Sequence, residues 1–201
     1  MIVNQDWRLS TTALIALSTT FGVPPSKYLN NQVEMVSKKL FDPEIKISKV
    51  AALVLYKIFE KHSHIIDAMK VELFIQILLK ILTLRPEVAE AVISLLLESC
   101  RAVPEDPKLI PVFDQAIETL MELPFGSNSE FYDLTVYDAA FCTISVIIEE
   151  TCYNDQYEKN YQLIHKLLEI IQHRLKSFEP EIKAQLEDGI MNILPVIGPS
   201  L

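Results

Sequence analysis

Apolar residues recur along this chain at helical spacing. Leu29, Val33, Val36 and Leu40 fall at i, i+4, i+7 and i+11, one stripe on a helix predicted from about Ser26 to Phe41. Phe74, Ile77, Leu78, Ile81 and Leu82 repeat the pattern on a segment starting near Val71. Ile110, Phe113, Ile117 and Leu120 make a third stripe, and Leu163, Leu167, Ile170 and Ile171 a fourth. Strict alternation of apolar and polar residues is nowhere sustained, so no strand is predicted.

Between the stripes lies a recurring helix opening. It reads Asp42-Pro43-Glu44-Ile45, then Arg85-Pro86-Glu87-Val88, then Glu179-Pro180-Glu181-Ile182. Proline suits the first helical position, where its missing N–H would have no partner anyway. The glutamate after it complements the positive end of the helix dipole. The first two prolines are 43 residues apart and the next interval is 94, room for one repeat between them whose corresponding helix begins near Asp133 to Thr135. Two helices in a period of about 40–47 residues is the signature of HEAT and armadillo arrays.

The predicted map begins with a helix from about Asp6 to Phe21, ended by Gly22 and by Pro24 and Pro25. Helix pairs follow at about 26–41 with 43–62, 68–83 with 86–102, 108–122 with 131–152, and 156–176 with 180–197. The expected fold is thus an all-α superhelix, a solenoid of about nine helices in antiparallel pairs forming one array of about four and a half repeats over residues 1–201. The first helix has no partner and the chain ends without a polar capping repeat, as expected of a piece of a longer array.

Composition fits this reading. Half of the residues are hydrophobic, only 22% are charged, and the mean hydropathy is +0.23. In a repeat stack each helix buries one face on its own partner and another on the next repeat. No run approaches the roughly 20 apolar residues of a membrane span, and no secretory signal is read at the N-terminus. The net charge of −9 is the opposite of what a nucleic-acid binder carries and suits a basic protein partner. Cys100, Cys142 and Cys152 lie in apolar or helical contexts, which favours reduced thiols and an intracellular home.

Candidate chemistry is sparse. His62 and His64 are two apart at a helix end and do not share a helix face, so a solvated turn is the expected setting. His165, Glu169 and His173 fall at i, i+4 and i+8. Turns are about 5.4 Å apart along a helix, so such a row does not converge on a metal ion. Tyr153, Tyr157 and Tyr161 share that spacing and read as packing at an inter-repeat seam, with an aromatic recognition stripe as the alternative. There is no glycine-rich phosphate loop and no recognisable nucleophile motif. No catalytic residue, cofactor or metal is therefore expected, and the chain reads as a binding scaffold rather than an enzyme.

Several stretches, in order, resemble the central repeats of the importin-β (karyopherin) family. They are Gln5-Asp6-Trp7-Arg8 followed by Thr12-Ala13-Leu14-Ile15-Ala16-Leu17, Phe41-Asp42-Pro43 through Ala51-Ala52, and Arg85-Pro86-Glu87-Val88-Ala89. Ala140-Phe141-Cys142-Thr143-Ile144 and the run from Gln185-Leu186 to Leu194 continue the series. The resemblance implies a curved array whose second helices line a concave face. In the family that face holds the basic importin-β-binding helix of the importin-α adaptor. The acidic residues it would place there are Glu60, Glu98, Asp138, Glu149 and Glu150, with Glu60 at the position of a family glutamate. Two departures stand out. The tryptophans that clamp the adaptor in the family would fall at Leu53 and Ser94, and an asparagine of the third repeat at Ala91.

The function implied is nuclear protein import, with basic adaptor or cargo segments as partners. Ran GTPase and nucleoporins would be met through a full-length protein. The expected locations are cytoplasm and nucleus, including the nuclear envelope. No direct nucleic-acid binding or membrane insertion is implied. The alternative is a HEAT scaffold outside transport, of the phosphatase, coat-complex or chromosome-organising type.

Overall fold

A computed structural model of the chain describes residues 26–62, 68–102, 109–123, 132 and 134–151, with 12, 13, 16, 162, 165, 180, 183, 184, 187–189 and 191 at isolated places. The described residues are helical with short connecting turns and contain no strand. The helices are α1 (Ser26–Ser37), α2 (Ile45–His62), α3 (Ala68–Leu84), α4 (Ala89–Arg101), α5 (Ile110–Glu122) and α6 (Leu134–Thr151). The chain divides into two compact units, Met1–Val103 and Pro104–Leu201.

In the first unit α1 packs on α2, α3 packs on α4, and α2 lies against α4. The second helices of two successive pairs are thus neighbours, as in a HEAT stack. Burial largely follows the stripes: Phe74, Leu78, Ile81 and Leu82 of α3 are buried and Ile77 is half-buried. Ile75 and Leu79 are buried as well, because α3 is covered on more than one side. Phe59 near the end of α2 stacks on Phe74 near the start of α3, with ring centroids 5.0 Å apart and planes at 11°. That contact joins one pair to the next.

The helix openings differ from the predicted form. Pro43 lies in a bend and α2 starts at Ile45, with Ser48 N–H bonded to the Glu44 carbonyl. Glu44 is therefore the capping residue and the proline sits just before it. Asp42 forms an Asx turn ahead of the helix: its Oδ1 accepts from Glu44 N–H at 3.1 Å. Pro86 opens a 3₁₀ turn, Pro86–Val88, and the α-helix proper begins at Ala89. The end of α1 also tightens into a 3₁₀ turn, Lys38–Phe41, closed by Asp42 N–H to the Lys39 carbonyl at 3.2 Å. Ser48 Oγ donates to the Leu40 carbonyl at 2.6 Å and satisfies a group the helix end leaves open.

In the second unit α5 packs on α6. Phe113, Ile117 and Leu120 of the predicted stripe are buried, beside Val112, Ala116 and Met121. From α6, Val136, Tyr137, Ala140, Phe141, Ile144, Ile147 and Ile148 complete this core. Gly189 backs directly onto Phe141, since a Cβ there would stand 2.7 Å from Phe141 Cδ2. Of the predicted helices at 6–21, 156–176 and 180–197 only scattered residues are described, all of them helical, and the stripe of Leu163, Leu167, Ile170 and Ile171 lies outside the described residues entirely.

Candidate protein-binding groove

Helices α2 and α4 each bury one face and leave another open. On α2, Ile47, Ala51, Val54, Leu55 and Ile58 go inward, while Lys49 and Leu53 stay exposed, Leu53 by 54%. On α4, Val92, Ile93, Leu95 and Leu96 go inward, while Glu90 is exposed and Ala91 and Ser94 are partly so. Because the two helices are neighbours, their open faces meet in a shallow groove of about 360 Å³. Its lining is Lys49, Leu53 and Tyr56 from α2, and Glu90, Ala91 and Ser94 from α4. The three positions singled out by resemblance, Leu53, Ala91 and Ser94, come together here although 41 residues separate the first from the last. An exposed leucine beside small side chains gives an apolar floor with room above it, a surface suited to a side chain from a partner.

The five acidic residues predicted at a binding face fall into three groups. Glu60 lies at the far end of α2 and accepts from Lys57 Nζ at 2.8 Å. That hydrogen bond, more than the Glu60 charge and the fainter pull of Glu98, raises the Lys57 ammonium above its ordinary value despite some desolvation. Lys57 also sits over the Tyr56 ring, 5.0 Å from its centroid. Glu98 on α4 pairs with Arg101 at 3.0 Å and is only 13% exposed. Asp138 is exposed on α6 in the second unit. Glu149 and Glu150 belong to the backbone of α6, and their side chains lie outside the described residues. The open face of α2 and α4 is therefore mixed in charge, with Lys49, Lys57 and Glu60 on α2 and Glu90, Glu98 and Arg101 on α4. Sequence reasoning passed over Lys49 and Glu90, whose opposition exists only once the two helices lie side by side.

His62 is the last residue of α2 and is buried, not in the solvated turn expected of it; His64 lies outside the described residues. His165 is exposed, whereas Glu169, His173, Tyr153, Tyr157 and Tyr161 lie outside them. Among the described residues no group of three His, Cys, Asp or Glu side chains is placed to hold a metal ion, and no helix is long and apolar enough to cross a membrane. Cys100 is buried in α4, and burial pushes its thiol far above the ordinary range. Cys142 is exposed on α6, and Cys152 lies outside the described residues.

No protein-family model matches the sequence, and none of the curated proteins matches it either. Solved structures do. The chain is similar to importin beta crystallised in an ammonium sulfate condition, at 22% identity and a TM-score of 0.81, over 100% of this chain and 25% of that one. For importin beta in a polyethylene glycol condition the values are 22% and 0.78, over 98% of this chain and 25% of that one. For the Kap95:Nup1 complex they are 16% and 0.72, over 99% of this chain and 24% of the matched chain. The chain spans about a quarter of the length of the structures it matches. At these identities the likeness speaks for the fold, and the fold is that of the importin-β HEAT solenoid.

Proposed function

We propose that this chain is part of a nuclear transport receptor of the importin-β kind, and that its α2–α4 face receives a basic helical segment of an adaptor or cargo protein. The observation that supports this reading is the groove itself. It gathers Leu53, Ala91 and Ser94, the positions where the resemblance puts adaptor anchors, within a fold like that of importin beta. Glu90 on its α4 wall is the carboxylate a lysine or arginine of the segment would meet first, and Glu60 and Glu98 on the same two helices would extend the attraction. With leucine and serine in place of two tryptophans the packing anchors are weak, and an affinity in about the micromolar range is expected. The Kap95:Nup1 likeness supports nucleoporin contact by the longer array to which the chain would belong, with Ran as its release factor and cytoplasm and nucleus as its locations.

The test is titration of the chain with an importin-β-binding peptide at two salt concentrations, beside a Glu60→Lys, Glu98→Lys, Asp138→Lys variant. Binding that weakens with salt and in the variant supports the reading. Equal binding by both proteins without salt dependence, or no binding by the wild type, contradicts it.

A further inference from the structure

The two walls of the groove carry opposite charge. Lys49 lines the groove from α2 beside Leu53 and Tyr56, and Glu90 lines it from α4 beside Ala91 and Ser94. Neither Lys49 nor Glu90 is held in an ion pair with another described residue, whereas the charges farther along are: Lys57 with Glu60, and Arg101 with Glu98. Lys49 also lends its charge to Glu87. The groove presents a cation on its α2 side and an anion on its α4 side, neither fixed in an ion pair among the described residues. A helix of about 10–12 Å diameter lying along the groove meets both sides. Were both of its flanks basic, one of them would lie against Lys49.

We infer that the groove selects a partner helix with an apolar seam, acidic residues along one flank and basic residues along the other. This concerns the same groove as the reading above and rests only on that groove receiving a helix. The basic flank pairs with Glu90, the acidic flank with Lys49, and the seam covers Leu53, Tyr56 and Ala91. Selection of this kind runs against the chain's net charge of −9, which by itself favours the more basic of two peptides.

The experiment uses the full chain and two synthetic helical peptides of equal length with the same leucine seam. One carries glutamate on one flank and lysine on the other, and its counterpart carries lysine on both. At physiological ionic strength, calorimetric titration should give the mixed peptide about a fivefold tighter Kd, the effect of one exposed charge pair gained and one repulsion avoided. Lys49→Glu makes both walls acidic and should reverse the order. Lys49→Gln removes the charge of the α2 wall and should abolish the preference, which keeps the test decisive should Lys49→Glu fold poorly. Tighter wild-type binding of the all-lysine peptide, a ratio unmoved by both substitutions, or binding of neither peptide overturns the inference. If the importin-β-binding peptide binds while the designed ratio is flat, this inference falls and the transport reading stands. If the designed ratio is as expected and the importin-β-binding peptide does not bind, the reverse holds.

Discussion

Arg85 Nη1 donates a hydrogen bond to the main-chain carbonyl of Asp42 at 2.6 Å, joining two residues that hold the same place in successive helix openings 43 residues apart. The same nitrogen reaches the Leu40 carbonyl at 3.2 Å, and Nε reaches Glu87 Oε1 at 2.9 Å. One guanidinium thus fastens the turn of one repeat to the opening of the next, satisfying the Asp42 carbonyl and sharing the Leu40 carbonyl with Ser48 Oγ. Arg85→Ala should cost the first unit about 2–3 kcal/mol, because the bonds are charge-assisted and the side chain is only 16% exposed. Chemical denaturation measures this; a loss within about 0.5 kcal/mol would mean that water replaces the guanidinium freely.

Glu87 gives the same junction a pH dependence. Partial desolvation would raise its carboxyl, but its own backbone N–H, the Arg85 hydrogen bond and charge, and the charge of Lys49 outweigh it and hold the group below the ordinary value of 4.5. A depressed folded value contributes stability that is complete above the ordinary value and is lost as pH falls through the depressed one. The stability gap between wild type and Glu87→Gln should therefore be present at about pH 6 and close toward about pH 3. Since Glu87 is 38% exposed, that gap should stay under about 0.5 kcal/mol. Paired denaturation curves at the two pH values check it; a gap that widens in acid contradicts the assignment.

Leu78 lies fully buried at the centre of the α3 stripe. Leu78→Ala should cost about 2–5 kcal/mol through lost transfer energy and the cavity left behind. Repeats that contact only their neighbours can unfold in more than one step, so the shift should be read on the transition of the first unit. A loss below about 0.5 kcal/mol would contradict the packing of this helix.

Gly189 tests the second unit. Alanine there drives a methyl into the buried Phe141 ring, a strain of about 1–3 kcal/mol, partly offset by about 1 kcal/mol of helix propensity. Gly189→Ala should therefore be neutral to destabilising in the wild type. In a Phe141→Leu background the strain should vanish and the same change should stabilise. A double-mutant cycle with no coupling would contradict the contact.

The parts of the fold that rest on periodicity were legible in the sequence. Phe74, Leu78, Ile81 and Leu82 announced their buried face because a 3.6-residue period needs only local order to be read. The helix openings were legible as boundaries but not in their form. Pro43 and Pro86 signal that a helix starts nearby, yet whether the first turn is α or 3₁₀ depends on Asp42 and Arg85 and on partners a repeat away. The candidate site was legible only in fragments. Resemblance marked Leu53, Ala91 and Ser94 one at a time, and the packing of α2 on α4 made them one groove. Pairing of Glu60 with Lys57 and of Glu98 with Arg101 follows i, i+3 spacing, but counting acids alone hid it. The opposition of Lys49 and Glu90 spans two helices and had no local signal.

The most direct test of the account is to restore what the groove lacks. Leu53 is 54% exposed at the groove floor, so Leu53→Trp adds an aromatic face without a clash against the core. If the α2–α4 face receives an adaptor or cargo helix, titration with the importin-β-binding peptide should show binding about fivefold to tenfold tighter than wild type, as a central aromatic anchor supplies. An unchanged or weaker Kd in a variant whose helicity and melting transition match the wild type would contradict the account.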